Sequence, residues 1–257
     1  MVDPLHALAG LMVGVLVGLT GVGGGSLMTP VLILLFGVQP VAAVGTDLLF
    51  AAGTKLVGAA VHARRGTVDW QVTGRLAMGS VPALALTLAV LALTGAHAGA
   101  VSAAITPVLG AALVLTAVAL LFQGRLLRVL ARGGDGLGGR RWACWSVLAG
   151  AGLGVLVSLT SVGAGALGVT VLSLLYPALP ANRVVGSDIA HAVPLTLVAG
   201  LGYWVLGSVD VSLLVSLLSG SVPGIVVGSL LAAHVPARAL RVTLAGVVGV
   251  VGLRLLA

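Results

Sequence analysis

The chain has 257 residues, of which 59% are hydrophobic and only 7% charged, and its mean hydropathy is +1.23. Soluble domains carry about a quarter charged residues, so a soluble fold is excluded. The formal charge of +7 comes from 12 Arg and one Lys against six Asp and no Glu, but most Arg stand at the ends of apolar runs or in one polar interruption, as expected of a membrane protein. With 4% aromatic residues to stack on bases, a nucleic-acid partner is excluded as well.

A spanning helix needs about 20 apolar residues, and such stretches follow one another from Leu5 to the last residues with one interruption, Gln123 to Arg141. A lone signal peptide does not look like this. The first stretch, 5 to 36, is broken at Thr20-Gly21-Val22-Gly23-Gly24-Gly25-Ser26. It is long for one crossing and short for two, so two half-helices meeting at a glycine turn are expected, as a re-entrant hairpin or as two short crossings. A helix that restarts at such a turn offers free N–H groups and the positive end of its dipole to an anion. Glycine lets the ligand approach the backbone, and Thr20 and Ser26 add hydroxyl donors. Close helix packing is the plainer use of the same glycines.

Spanning helices follow at 41 to 63, 71 to 94 and 98 to 122. The first carries Lys55, the only lysine of the chain. A charge at that depth is costly and usually functional, and an ammonium there suits an anionic substrate. Asp47, eight residues earlier, is an alternative ion-pair partner for it. As an acid at membrane depth Asp47 is a candidate for carrying protons or holding the glycine turn, with helix capping as the ordinary use. Pro82 and Pro107 should kink their spans. The interruption at 123 to 142 holds Arg125, Arg128, Arg132, Arg140 and Arg141 and reads as a basic cytoplasmic loop.

The second half repeats the first. Gly154 to Leu172 aligns with Gly14 to Leu32 without gaps, and twelve of nineteen positions match. Three later matches keep the order: Gly186-Ser187-Asp188 with Gly45-Thr46-Asp47, Gly207-Ser208-Val209-Asp210 with Gly66-Thr67-Val68-Asp69, and Gly220-Ser221-Val222-Pro223 with Gly79-Ser80-Val81-Pro82. Such order points to duplication. A second broken stretch is therefore expected at 143 to 178, with its turn at Thr160-Ser161-Val162-Gly163-Ala164-Gly165-Ala166, and spans at 183 to 205, 211 to 233 and 237 to 256. Thr160, Ser161, Gly163 and Gly165 join Thr20, Gly21, Gly23, Gly24, Gly25, Ser26 and Lys55 as candidate substrate ligands. Asp188 repeats Asp47. His191, three residues on, suggests an Asp–His proton-handling pair, or a histidine satisfied by Asp188.

Arg64 and Arg65 follow the first span of the first half, whereas the equivalent loop of the second half, Gly207 to Asp210, has no Lys or Arg and the next one holds Arg238 and Arg241. By the positive-inside rule the halves are opposite ways up. The expected fold is an all-α polytopic integral membrane protein of the inner or plasma membrane: an N-terminal repeat at 1 to 122, the connecting loop at 123 to 142, and an inverted C-terminal repeat at 143 to 257. Inverted repeats are common in secondary transporters, where a central site faces either side alternately.

No cofactor is implied. Gly21 to Gly25 lacks the Gly-Lys-Ser/Thr of a phosphate loop, and no His/Asp/Glu cluster has metal spacing, nor does any nucleophile have a base, so an enzyme is not expected. The lone Cys144 cannot form an internal disulfide. A dimer or other homo-oligomer is compatible with such a chain but not specified by it.

The broken first segment, Leu19-Thr20-Gly21-Val22-Gly23-Gly24-Gly25-Ser26 leading to Pro30, followed by Val44-Gly45-Thr46 and repeated in the second half, resembles the TauE/SafE family of membrane transporters, the sulfite exporter family. The resemblance spans nearly the whole chain. It implies export of a small sulfur-containing anion, such as sulfite, sulfoacetate or a related organosulfonate, with other members handling other organic anions. Of the site residues, only the two glycine turns match the family's motif, and Asp47 and Asp188 depart from the small polar residue expected there. Coupling to protons through Asp47, Asp188 or His191, and exit driven by the membrane potential alone, both fit. A cation carrier or channel using the two aspartates is the competing class, though cation sites gather more oxygens than two carboxylates provide.

Overall fold

In a computed structural model of the chain, residues 3–20, 25–94, 99–130, 140–231 and 236–257 are described, and every regular element among them is helical. The ten helices are α1 (Pro4–Thr20), α2 (Gly25–Leu34), α3 (Pro40–Arg64), α4 (Trp70–Thr94), α5 (Gly99–Leu130), α6 (Arg140–Thr160), α7 (Ala166–Leu175), α8 (Ala181–Val205), α9 (Val211–Leu231) and α10 (Ala237–Leu256). Among the described residues, seven helices are long and apolar enough to cross a membrane. Helix is the only such solution for this composition, because a lipid-exposed backbone must satisfy its own N–H and C=O groups.

The broken stretches divide at their glycine turns as expected, into members of unequal length, while the loop expected at 123 to 142 needs correction. The first members, α1 and α6, have 17 and 21 residues and the second members, α2 and α7, have 10 each. At 1.5 Å per residue these are about 25–32 Å and 15 Å, a helix of nearly membrane-spanning length followed by a short one. The polar interruption is partly helical: α5 runs on to Leu130 and α6 already begins at Arg140, because Arg and Leu are strong helix formers whatever the hydropathy around them. Pro82, Pro107, Pro194 and Pro223 all lie inside helices.

Helices α3 and α8 pack along each other at the centre, and α5 packs on α10. Outside these, α1 lies on α9 and α4 on α6, along seams built from glycine. A Cβ on Gly10 or Gly14 of α1 would collide with the backbone of Leu217 or Ser221 in α9, and one on Gly220, Gly224 or Gly228 with the backbone of Ala7, Leu11 or Val15. In the other seam a Cβ on Gly150 or Gly154 of α6 would strike Leu76 or Ser80 of α4, and one on Gly79 would strike Val147. Lipid tails are as apolar as leucine, so helices in a bilayer gain by shape, and small residues let backbones close up. Leu86, Leu93, Val205, Leu230 and Val250 remain largely exposed, as lipid-facing residues should.

The loops that join α3 to α4 and α8 to α9 are each fastened to a central helix about two turns inside it. The Asp69 N–H donates to Ser187 Oγ at 2.8 Å, and the Asp210 N–H to Thr46 Oγ1 at 3.3 Å. Each aspartate also caps the helix that follows it, Oδ1 of Asp69 accepting the Val72 N–H and Oδ1 of Asp210 the Leu213 N–H. Among the described residues only the first loop adds an ion pair, Arg183 to Asp69 at 3.4 Å.

Candidate functional site

The polar groups at the centre of the molecule come from α3, α8 and the break between α6 and α7. Asp47 and Lys55 lie on α3 and Asp188 and His191 on α8, and all four are buried. Asp47 and Asp188 are each the eighth residue of a 25-residue helix. They are therefore two turns inside and do not cap their own helices. Instead each addresses a short helix that follows a glycine turn, α2 for Asp47 and α7 for Asp188. Oδ2 of Asp47 accepts the Thr29 backbone N–H at 3.1 Å and also the Thr29 hydroxyl, within α2. The Asp188 carboxylate lies against Gly168 in α7, where a Cβ would fall on its Oδ1. Only glycine leaves that carboxylate its place.

The break after α6 is a run of unusual backbone. Ser161, Gly163 and Gly165 have φ of 59°, 119° and 143°, and for serine the first of these is a strained choice, of the kind that concentrates at functional sites. α7 then starts at Gly165 without a side-chain cap, the Gly168 N–H turning back to the Gly163 carbonyl at 2.8 Å. The ammonium of Lys55 donates to the Ala164 carbonyl in this break. Among the described residues it forms no ion pair within 4 Å. The break thus packs against the middle of α3, between Asp47 and Lys55.

Ser161 is the side chain that reaches Asp47 from the break. It does so without an aligned hydrogen bond: among the described residues, Oδ1 of Asp47 and Oγ of Ser161 are both buried and unpartnered. Buried polar atoms are rarely left so, and each unsatisfied one calls for an explanation. Thr160 behaves differently from the expectation of a free hydroxyl donor, because its Oγ1 donates to the Leu156 carbonyl at 2.6 Å and accepts the Val162 N–H at 3.1 Å. It shapes the turn. The expected Asp188–His191 pair is not formed either: Nε2 of His191 lies 2.8 Å from Ser80 Oγ on α4, since α8 turns His191 toward α4 while Asp188 faces α7. Lys55 likewise does not pair with Asp47.

Of the first glycine turn, Gly21, Gly23 and Gly24 lie outside the described residues. Thr20 ends α1, and Gly25 and Ser26 begin α2, without their side chains being described. Residues that sequence reasoning passed over are Thr29, Gly168 and Tyr203, whose hydroxyl donates to the Ser158 carbonyl at 2.8 Å. For Gly168 the signal was available in principle, as a glycine three residues into an otherwise branched apolar helix.

Comparison with known proteins agrees with this architecture. The family model described as "Sulfite exporter TauE/SafE" matches residues 6–255. The chain is 40% identical to the probable membrane transporter protein YjnA of Bacillus subtilis, over 97% of this chain and 98% of that one, and 26% identical to the probable membrane transporter protein YdhB of the same organism, over 85% of each. A shorter stretch, 23% of this chain, is 42% identical to the probable membrane transporter protein YunE. No solved structure matches.

Proposed function

Because this chain belongs to the TauE/SafE sulfite exporter family, a family of multi-pass membrane transporters and not of enzymes, we propose that it exports a small sulfur-containing anion by alternating access of two inverted halves. The halves are 1 to 122 and 143 to 257, joined by the basic segment at 123 to 142, and the anion is sulfite, sulfoacetate or a related organosulfonate. The observation that carries this reading is the reciprocity of the packing. When each helix of the first five is matched with its counterpart five later, the seam of α1 on α9 becomes that of α6 on α4. Single contacts follow the same rule. Gly10 on Leu217 corresponds to Gly150 on Leu76, and Gly14 on Ser221 to Gly154 on Ser80. Asp69 on Ser187 corresponds to Asp210 on Thr46. Such exchange is what a two-fold relation between halves produces.

The anion is held at the N-termini of α2 and α7. Thr20, Gly21, Gly23, Gly24, Gly25 and Ser26 form one side, and Ser161, Gly163 and Gly165 the other, with Thr160 shaping the turn. Lys55 attracts the charge between them. What supports this placement is the uncapped start of α7, the buried and unpartnered Ser161 hydroxyl, and an ammonium bonded to the same break. Asp47 and Asp188 fix the short helices α2 and α7, and with His191 they are the groups able to exchange protons at this depth.

Efflux of labelled sulfite and sulfoacetate from proteoliposomes, compared with chloride and sodium, tests the reading. Saturable sulfur-anion flux is expected, and Gly23→Leu combined with Gly163→Leu should abolish it in folded protein. Cation flux without anion flux would move the function to the two aspartates, and flux restricted to sulfur-free carboxylates would change the substrate class.

A further inference from the structure

Three observations converge on Asp47. Its Oδ2 already accepts two hydrogen bonds from Thr29, the Ser161 side chain is close enough to interact with its carboxylate, and Asp47 Oδ1 and Ser161 Oγ are both buried without a well-aligned partner among the described residues. Ser161 belongs to the break that starts α7, so its single hydroxyl hydrogen has two possible destinations, the Asp47 carboxylate or an anion at the helix start. It cannot serve both. Finally, by formal charge two carboxylates and one ammonium leave the buried cluster one negative charge in excess, the imidazole being counted as neutral. A monoanion arriving alone would double that charge in a medium of low dielectric; arriving with a proton it leaves the balance unchanged.

Resting on the anion-carrier reading above, we propose that Asp47 takes up one proton on Oδ1 for each anion bound, and that Ser161 makes the two binding events mutually dependent. The proton comes from water in the pathway and goes to Oδ1. The carboxylic acid then donates to the Ser161 oxygen, and the Ser161 hydroxyl turns its hydrogen to the anion. On release of the anion the hydroxyl turns back to the carboxylate and the proton leaves. Asp188 is not the carrier, because its carboxylate is seated tightly against Gly168. Other charged groups facing Asp47 are few. Lys55 lies on its own helix and Asp188 and His191 on α8. Of the other helices packed against α3, the sequences of α2 and α9 hold no titratable side chain, and those of α5 and α6 hold them only at Arg125, Arg128, Arg140, Arg141 and Cys144. A monoanion moved in this way crosses without net charge, so concentration and pH gradients, not the membrane potential, set the direction.

Methanesulfonate, a permanent monoanion, is the probe. Its efflux is followed from proteoliposomes that contain a pH-sensitive dye, at zero and at 100 mV of clamped potential. Wild-type protein should alkalinise the lumen by one proton per methanesulfonate and give the same distribution at both potentials. Whatever flux Asp47→Asn retains should carry no proton and become voltage-sensitive, by about 50-fold in the distribution, the equivalent of about 2.3 kcal/mol per elementary charge per 100 mV. Ser161→Gly, which suits the positive φ, should flatten the pH dependence of the half-saturating methanesulfonate concentration. Wild-type efflux that follows the potential and leaves the dye unchanged would overturn the proposal without need of any variant, and so would unaltered proton traffic in Asp47→Asn. If folded protein moves none of methanesulfonate, sulfite and sulfoacetate, the carrier reading itself falls and this one with it.

Discussion

The outer seams and the central pair of helices hold together in different ways. Where α1 meets α9 and α4 meets α6, glycine backbones touch carbonyls with hardly a side chain between. Helices α3 and α8 meet through an apolar layer of Val44, Leu48, Leu195 and Tyr203. They also carry the buried polar groups Asp47, Lys55, Asp188 and His191, whose described contacts reach out to α2, α4, α7 and the break before α7. The seams are stabilised by shape and have one arrangement. The centre is stabilised by a handful of hydrogen bonds, two of whose atoms are unmatched, and that is where a second arrangement costs least.

The contrast can be broken from either side. Gly220→Leu puts a side chain into the Ala7 carbonyl, and overpacking of this kind costs about 1–3 kcal/mol or more. Loss of monodisperse protein on size exclusion is expected, and Gly79→Leu in the opposite seam should match it. Lys55→Met should leave the seams intact and the protein folded, while the half-saturating anion concentration rises about 10- to 100-fold, a charged hydrogen bond being worth about 1.5–3 kcal/mol. Gly168→Ala, which drives a methyl into the seat of Asp188, should lower the thermal unfolding midpoint by the equivalent of about 1–2 kcal/mol and slow transport together with it. Thr29→Val removes one of the two bonds to Asp47, a loss of about 1 kcal/mol, and sharpens the comparison if transport changes more than melting does. Arg183→Ala should be smallest, about 0–1 kcal/mol, as for other partly exposed pairs.

Most of the helices could be read from the sequence, because in a bilayer their extent is set by hydropathy and punctuation, and the expected spans at 71 to 94 and 183 to 205 end with α4 and α8 at Thr94 and Val205. Faces were harder. Lipid and neighbouring helix are equally apolar, so no amphipathic stripe tells a packed face from an exposed one. That is why His191 could be placed beside Asp188 by helical spacing yet belongs to Ser80. The glycine turn of the second half was visible as a motif, whereas the positive φ of Ser161 was not, since serine carries no signature for it.

The ion pair between Arg183 and Asp69 has no counterpart at Asp210 among the described residues. Its members are partly open to water, with 42% and 20% of their side chains exposed, so mobile ions reach them. The Debye length is about 8 Å at physiological ionic strength and shrinks further as salt is added. Two loops that are otherwise tethered alike should therefore respond unequally when salt is raised. On the proposed inverted arrangement, which puts them on opposite faces of the membrane, ionic strength becomes a vectorial variable: the side on which it is changed should decide whether the loop between α3 and α4 is loosened.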